Sequence, residues 1–190
     1  MKYILPKKVV KIDGKIIDSE NLLKEKPLQI GLSEPCLTQI IGKGYIILDF
    51  GEEICGGVRI LAYSVKGNAN IRIRFGESIS ETCAELGEKN ATNNHSSRDI
   101  TVILQELSDM SFGCTGFRFV RIDFVDCEIT LKAIAAASDE VIREYKGKFE
   151  CDDELLNRIW LVAAKTLNLC VRNGYIWDGI KLFKDKFSIT

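Results

Sequence analysis

Ile71-Arg72-Ile73-Arg74-Phe75 constrains this chain more than any other stretch. Three apolar side chains alternate with two arginines. Successive side chains of an extended strand point to opposite faces, so this segment reads as a strand with one buried and one wet face. Such a strand belongs in an antiparallel sheet with one side on a core. Five further runs fit strands: 45–50, 58–65, 100–104, 117–125 and 128–135. The apolar phase slips between Phe119 and Val120, which predicts a bulge there or burial on both faces. Phe50 to Gly57 precedes a strand and lacks the Lys-Ser/Thr end of a phosphate loop. It is expected to be a tight turn with glycines at positive φ. Residues 1–40 are expected to supply one or two strands and a Pro-containing connector. Short strands separated by Gly, Asn and Ser loops favour a sandwich or jelly roll over βαβ units.

The periodicity changes after residue 148. Leu155, Leu156, Ile159, Trp160, Ala163, Ala164, Leu167, Cys170 and Val171 recur at intervals of three and four. That spacing makes a broad apolar stripe on a helix running from Asp152 to Asn173-Gly174. Asp152 is the expected N-cap and Gly174 the expected left-handed residue after the last turn. The expected fold is mainly β: an antiparallel β-sandwich or jelly roll over 1–148, followed by one long C-terminal α-helix in a second region, 149–190.

Charge and composition exclude several functions. Lys+Arg number 26 against 27 Asp+Glu, a net charge of -1. A protein held to nucleic acid by phosphate contacts is expected to be basic, so no nucleic-acid partner is expected. Hydrophobic residues at 46% and charged residues at 28% exclude a disordered chain. No run of about 18 apolar residues occurs, so no membrane-spanning helix is expected. The seven cysteines are odd in number and contain no C-x-x-C pair. They are expected to be reduced thiols, most of them acting as small core residues. Met1-Lys2-Tyr3-Ile4-Leu5-Pro6 is too short an apolar run for a signal peptide, so the expected location is cytoplasmic. A precursor trimmed at its N-terminus would instead place the chain in the periplasm.

Few residues carry chemistry. His95 is the single histidine and lies in the polar stretch Asn90–Ser97. With one histidine and no cysteine pair, no metal and no cofactor are expected. Trp177-Asp178 follows the helix-ending Asn173-Gly174. A tryptophan beside an aspartate offers a flat apolar face for a pyranose and an acceptor for its hydroxyls. Tyr45, Tyr63 and the stretch 90–97 are the candidates for a sandwich-borne sugar site. Packing of both tyrosines in the core or at an edge is the competing expectation.

Several segments together resemble a known family. They are Leu48-Asp49-Phe50-Gly51-Glu52-Glu53 with Gly56-Gly57-Val58-Arg59, Ile73-Arg74-Phe75-Gly76-Glu77-Ser78, and Gly116-Phe117-Arg118-Phe119-Val120-Arg121-Ile122. In this order they resemble the β-sandwich that precedes the catalytic domain in bacterial α-L-rhamnosidases of glycoside hydrolase family 78. Phe149-Glu150-Cys151 with Asp153 to Trp160 resembles the entry into that family's (α/α)6 barrel. Asn173 to Lys181 resembles the start of its active-site segment. The resemblance implies inverting hydrolysis of terminal α-L-rhamnosides, with rhamnose-containing glycans or glycosides as partners. It assigns Asp178 and its neighbour Trp177 to substrate binding. After Lys181 the sequence departs from the family pattern and reads Leu182 to Thr190. The resemblance therefore implies a truncated enzyme with no complete catalytic set in this chain. The alternative is a non-catalytic carbohydrate-binding or structural β-sandwich module.

An apolar helix stripe left in water is unfavourable by roughly 25 cal/mol per Å². Leu155, Ile159, Trp160 and Leu167 are therefore expected to pack on the sandwich or on a second copy, giving a homodimer through the C-terminal helix. Light scattering should report self-association if the sandwich leaves the stripe uncovered. A strict monomer with that stripe solvated would contradict the expectation.

Overall fold

The structure of the chain is a computed structural model that describes residues 2–67, 69–89, 96–140, 144–172, 175–177 and 186–188. The chain divides into two units, Met1–Ser138 and Asp139–Thr190. The first is mainly β. Its strands are β1 (Lys2–Ile4), β2 (Lys8–Ile17), β3 (Thr38–Gly67), β4 (Asn70–Gly76), β5 (Asp99–Ile103) and β6 (Ser108–Ser138), with a short helix α1 (Ile79–Cys83) after β4. Every pairing among these strands is antiparallel.

Two long bent strands build both layers of the sandwich. The first half of β3 pairs with β2 on one side, while its residues 38–49 face Phe119 to Leu131 of β6 on the other. Beyond that part of β6 come β4 and then β5. The second half of β3 lies between two passes of β6: Gly56 pairs with both Thr115 and Ser138, and Val58 with both Phe112 and Ala136. β1 closes the outer side of Ala136 to Ser138. The expected runs 45–50 and 58–65 are thus two halves of one strand, and 117–125 and 128–135 are parts of another.

The bend in β3 falls where a tight turn was expected. Gly51 does adopt φ +84°. The Asp49 side chain accepts its N–H at 2.7 Å, which holds the kink. The chain does not reverse, however. The register with β6 breaks between Asp49 and Ile54 and then resumes. This is a correction: a bulge within a continuous strand replaces the turn, because pairing continues on both sides of it. Gly57 has a different role. A methyl group there would collide with the carbonyl oxygens of Gly113 and Phe112, so only glycine lets the two strands approach this closely. On β6, Phe119 and Val120 are both buried, at 8% and 0% exposure, which accounts for the slipped phase.

The core lies between the layers. Ile46, Leu48, Val58, Ile60, Ile71, Ile73, Ile122, Phe124 and Ile134 are buried within it. Its centre is aromatic. Phe117 meets Phe50 edge-on at 5.7 Å and Phe75 at 5.0 Å, so one ring each from β3, β4 and β6 interlock. The cysteine expectation needs correction. None of the seven forms a disulfide, but among them only Cys55 and Cys127 are buried, and Cys36 is exposed. A small thiol in a strand follows its face, not its composition.

The second unit contains α2 (Glu154–Cys170) and three short strands, β7 (Val171–Arg172), β8 (Tyr175–Trp177) and β9 (Lys186–Ser188). The N-cap is Asp153, not Asp152. Its carboxylate accepts the N–H of Leu155 at 2.8 Å and of Leu156 at 3.3 Å. The helix stops at Cys170, short of Asn173, because Val171 turns to extended backbone and begins β7. Gly174, the expected terminator, lies outside the described residues. Trp160 packs edge-on against Tyr145 at 6.4 Å. Tyr145 belongs to the same unit as the helix, so this contact is not the expected packing on the sandwich or on a second copy. Within the stripe, Leu155, Ile159 and Leu167 keep 53–62% of their surface exposed, while Ala164, Cys170 and Val171 are half-buried. No described helix is long and apolar enough to cross a membrane.

Replacing Phe117 with Ala removes the ring that joins the three strands. Large-to-small changes at buried aromatics cost about 3–5 kcal/mol. Denaturant unfolding should show a loss of that size, and a loss near zero would contradict the interlock.

Candidate functional site

The alternation of β4 aims its arginines at the outer face of the five-stranded layer. Strand register places two rows of side chains there. Asp13, Tyr45, Asp123, Arg72 and Thr101 align across β2, β3, β6, β4 and β5. Lys11, Ile47, Arg121, Arg74 and Asp99 form the next row. Arg72 donates to Asp99 at 2.6–2.8 Å and pairs with Glu85. Arg74, almost fully buried, donates to Asp123 at 2.9 Å, to Glu85 at 3.1 Å and to the Cys83 carbonyl at 3.1 Å. Arg121 donates to Asp123 at 2.6 Å and lies 3.9 Å above the Tyr45 ring. These arginines answer carboxylates of the same face. The network grips the segment around residues 81–85 from below. Fully buried Arg98 holds the same segment through the carbonyls of Glu81, Ala84 and Glu85.

The two tyrosine candidates are committed to packing. Besides Arg121, Tyr45 has the Lys11 ammonium 5.7 Å from its ring centroid. A pyranose stacking on Tyr45 would have to displace a guanidinium. Tyr63 donates its hydroxyl to the Leu32 carbonyl at 3.0 Å. Arg59 and Lys132 reach the same connector. Arg59 donates to the Leu28 carbonyl at 3.0 Å. Lys132 donates to the Gln29 carbonyl and to Glu34 at 2.7 Å. Lys132 and Glu34 are 5% and 8% exposed, a buried ion pair that no sequence periodicity announced. Its partners lie 98 residues apart in sequence.

The second unit holds the other candidates. Trp177 ends β8, paired with Lys186 of β9. Asp178, His95 and Asn90 to Asn94 lie outside the described residues. Among the described residues, no group of three or more His, Cys, Asp or Glu side chains is placed to hold a metal ion.

Comparison with known proteins gives a family. The model of the bacterial alpha-L-rhamnosidase concanavalin-like domain matches residues 39–139, from the start of β3 to the end of β6. The chain belongs to that family. Among solved structures, a GH78 family rhamnosidase of Bacillus sp. GL1 is 19% identical with a TM-score of 0.61, over 85% of this chain and 16% of its own. A rhamnosidase from Klebsiella oxytoca with rhamnose bound is 17% identical with a TM-score of 0.53, over 70% of this chain and 28% of its own. At these identities the likeness is one of fold. The rhamnosidase-family chain thus spans less than a third of either solved relative. No curated protein matched.

The outer-face pairs carry a pH signature. The Arg72 guanidinium beside Glu85 holds its carboxyl below the usual range, and Arg118 does the same for Asp49, as does Arg59 for Asp109. Depressed folded values mean that the unfolded chain binds protons first as pH falls. The stabilisation is complete above the ordinary carboxylate values of about 4 and lost below them. Thermal midpoints should stay level from neutrality to about pH 5 and then drop. Added salt should shrink the drop, since these carboxylates are partly exposed. A midpoint that rises toward acid would contradict the pairing.

Proposed function

We propose that this chain belongs to an α-L-rhamnosidase, in which the sandwich is the accessory domain and α2 opens the catalytic domain. The observation that carries this reading is the family match across both long strands, with rhamnosidases among the solved structures of the same fold. The substrates would be terminal α-L-rhamnosides, cleaved with inversion. That chemistry needs a carboxylic acid to protonate the leaving oxygen and a carboxylate to activate water on the opposite face, about 6.5–9.5 Å apart. Trp177 and Asp178 would contact the sugar, through ring stacking and hydrogen bonding. The matched 70% and 85% of this chain correspond to 28% and 16% of the two rhamnosidases, and on the proposed reading these residues do not by themselves hold the full pair of acids or hydrolyse substrate.

Purified chain incubated with an aryl α-L-rhamnoside should release no more phenol than buffer. Turnover would overturn the reading of an incomplete site. Saturation-transfer NMR against a panel of monosaccharide glycosides tests the substrate class. The strongest signal should come from methyl α-L-rhamnoside and weaken in Asp178→Ala. Silence from the rhamnoside with the fold intact would contradict the assignment.

A further inference from the structure

The stretch that precedes α2 forms a wall with the helix. Between them is a surface cavity of about 460 Å³, whose lining includes Tyr145, Gly147, Lys148, Phe149, Glu150 and Trp160. That volume lies within the usual range for small-molecule sites, about 300–1,000 Å³. Three of the lining residues are aromatic. Tyr145 and Trp160 meet at an interplanar angle of 78°, so their rings make a corner and not a stack. Tyr145 keeps 49% of its surface exposed and Phe149 45%, values far from those of buried packing residues. At Gly147 the space a side chain would occupy is open.

The polar groups divide into two kinds. The Asn157 side chain accepts the Cys151 N–H at 2.9 Å and donates to the Cys151 carbonyl at 2.8 Å. Its amide is committed to holding the chain against the helix. Lys148 and Glu150, which flank Phe149, are both exposed. One offers donors and the other acceptors, and their charges cancel. An aromatic corner with one donor and one acceptor at its rim matches a ligand that has an apolar C–H face and a hydroxyl edge. The balanced charge favours a neutral ligand over an anionic one.

We propose that this cavity is a binding site for a neutral 6-deoxyhexopyranoside, with Tyr145, Phe149 and Trp160 contacting the ring and methyl group and Lys148 and Glu150 the hydroxyls. The choice of sugar rests on the rhamnoside reading above, but the site uses none of the residues assigned there.

Trp160 and Trp177 are the two tryptophans of the chain, so Trp177→Phe leaves Trp160 as the sole reporter. Titration with methyl α-L-rhamnoside should change its emission saturably in the millimolar range. Adding Phe149→Ala should weaken that binding at least five-fold with an unchanged circular dichroism spectrum. Adding Asp178→Ala should leave it unaltered. Calorimetry on wild type and Phe149→Ala repeats the comparison without the tryptophan substitution. An absent response, or one of equal strength in Phe149→Ala, would overturn the site. Rhamnoside binding that is lost in Asp178→Ala but kept in Phe149→Ala would also overturn it, while leaving the family function standing.

Discussion

Phe117 is the point on which the sandwich depends. It is fully buried, and its ring touches Phe50 from one long strand and Phe75 from β4. Both long strands change layers close by, β3 at its bulge and β6 near Phe119. A strand that serves two layers has to bend without losing its ladder, since buried backbone groups need partners. Gly51 supplies the left-handed residue and Asp49 ties its N–H. Gly57 then lets β3 run tightly beside β6. The aromatic ring fills the space that the bend opens.

The ion pairs on the outer face follow from that frame. β4 is committed by Ile71, Ile73 and Phe75 to an inward face, which leaves Arg72 and Arg74 outward. The neighbouring strands meet them with Asp99 and Asp123, and the segment after α1 adds Glu85. The result holds a loop against a sheet. It does not leave an open aromatic platform, because Tyr45 already carries Arg121. Among the described residues the exposed aromatics are Tyr3 in the first unit and Tyr145 and Phe149 in the second.

How much of this was legible depended on the range of each signal. The period-two pattern at 71–75 identified β4 and its buried face, because alternation is a local property. The clustering of apolar residues into short runs placed the strands of 45–50, 58–65 and 117–125. It did not show that the first two are one strand, since a glycine-rich bulge and a glycine-rich turn have the same composition. Three consecutive acidic residues, Asp152 to Glu154, left the helix start uncertain by one position, and capping geometry decided for Asp153. Helical spacing identified the stripe of α2 but not what covers it. The Lys132–Glu34 pair and the Tyr145–Trp160 corner join residues distant in sequence and had no pattern to reveal them. Trp177 and Asp178 were recognised by their neighbours in sequence, and a catalytic pair is a matter of spacing in three dimensions.

The central claim is that two bent strands, locked by one aromatic cluster, make both layers of the first unit a single cooperative structure. Native-state hydrogen exchange on the whole chain tests it most directly. Amides of 46–50, 58–62, 71–75, 117–124 and 133–136 should exchange through one common opening, with the same free energy and the same denaturant dependence. Two separate openings, one for the layer containing β4 and another for the layer containing β1, would contradict the account.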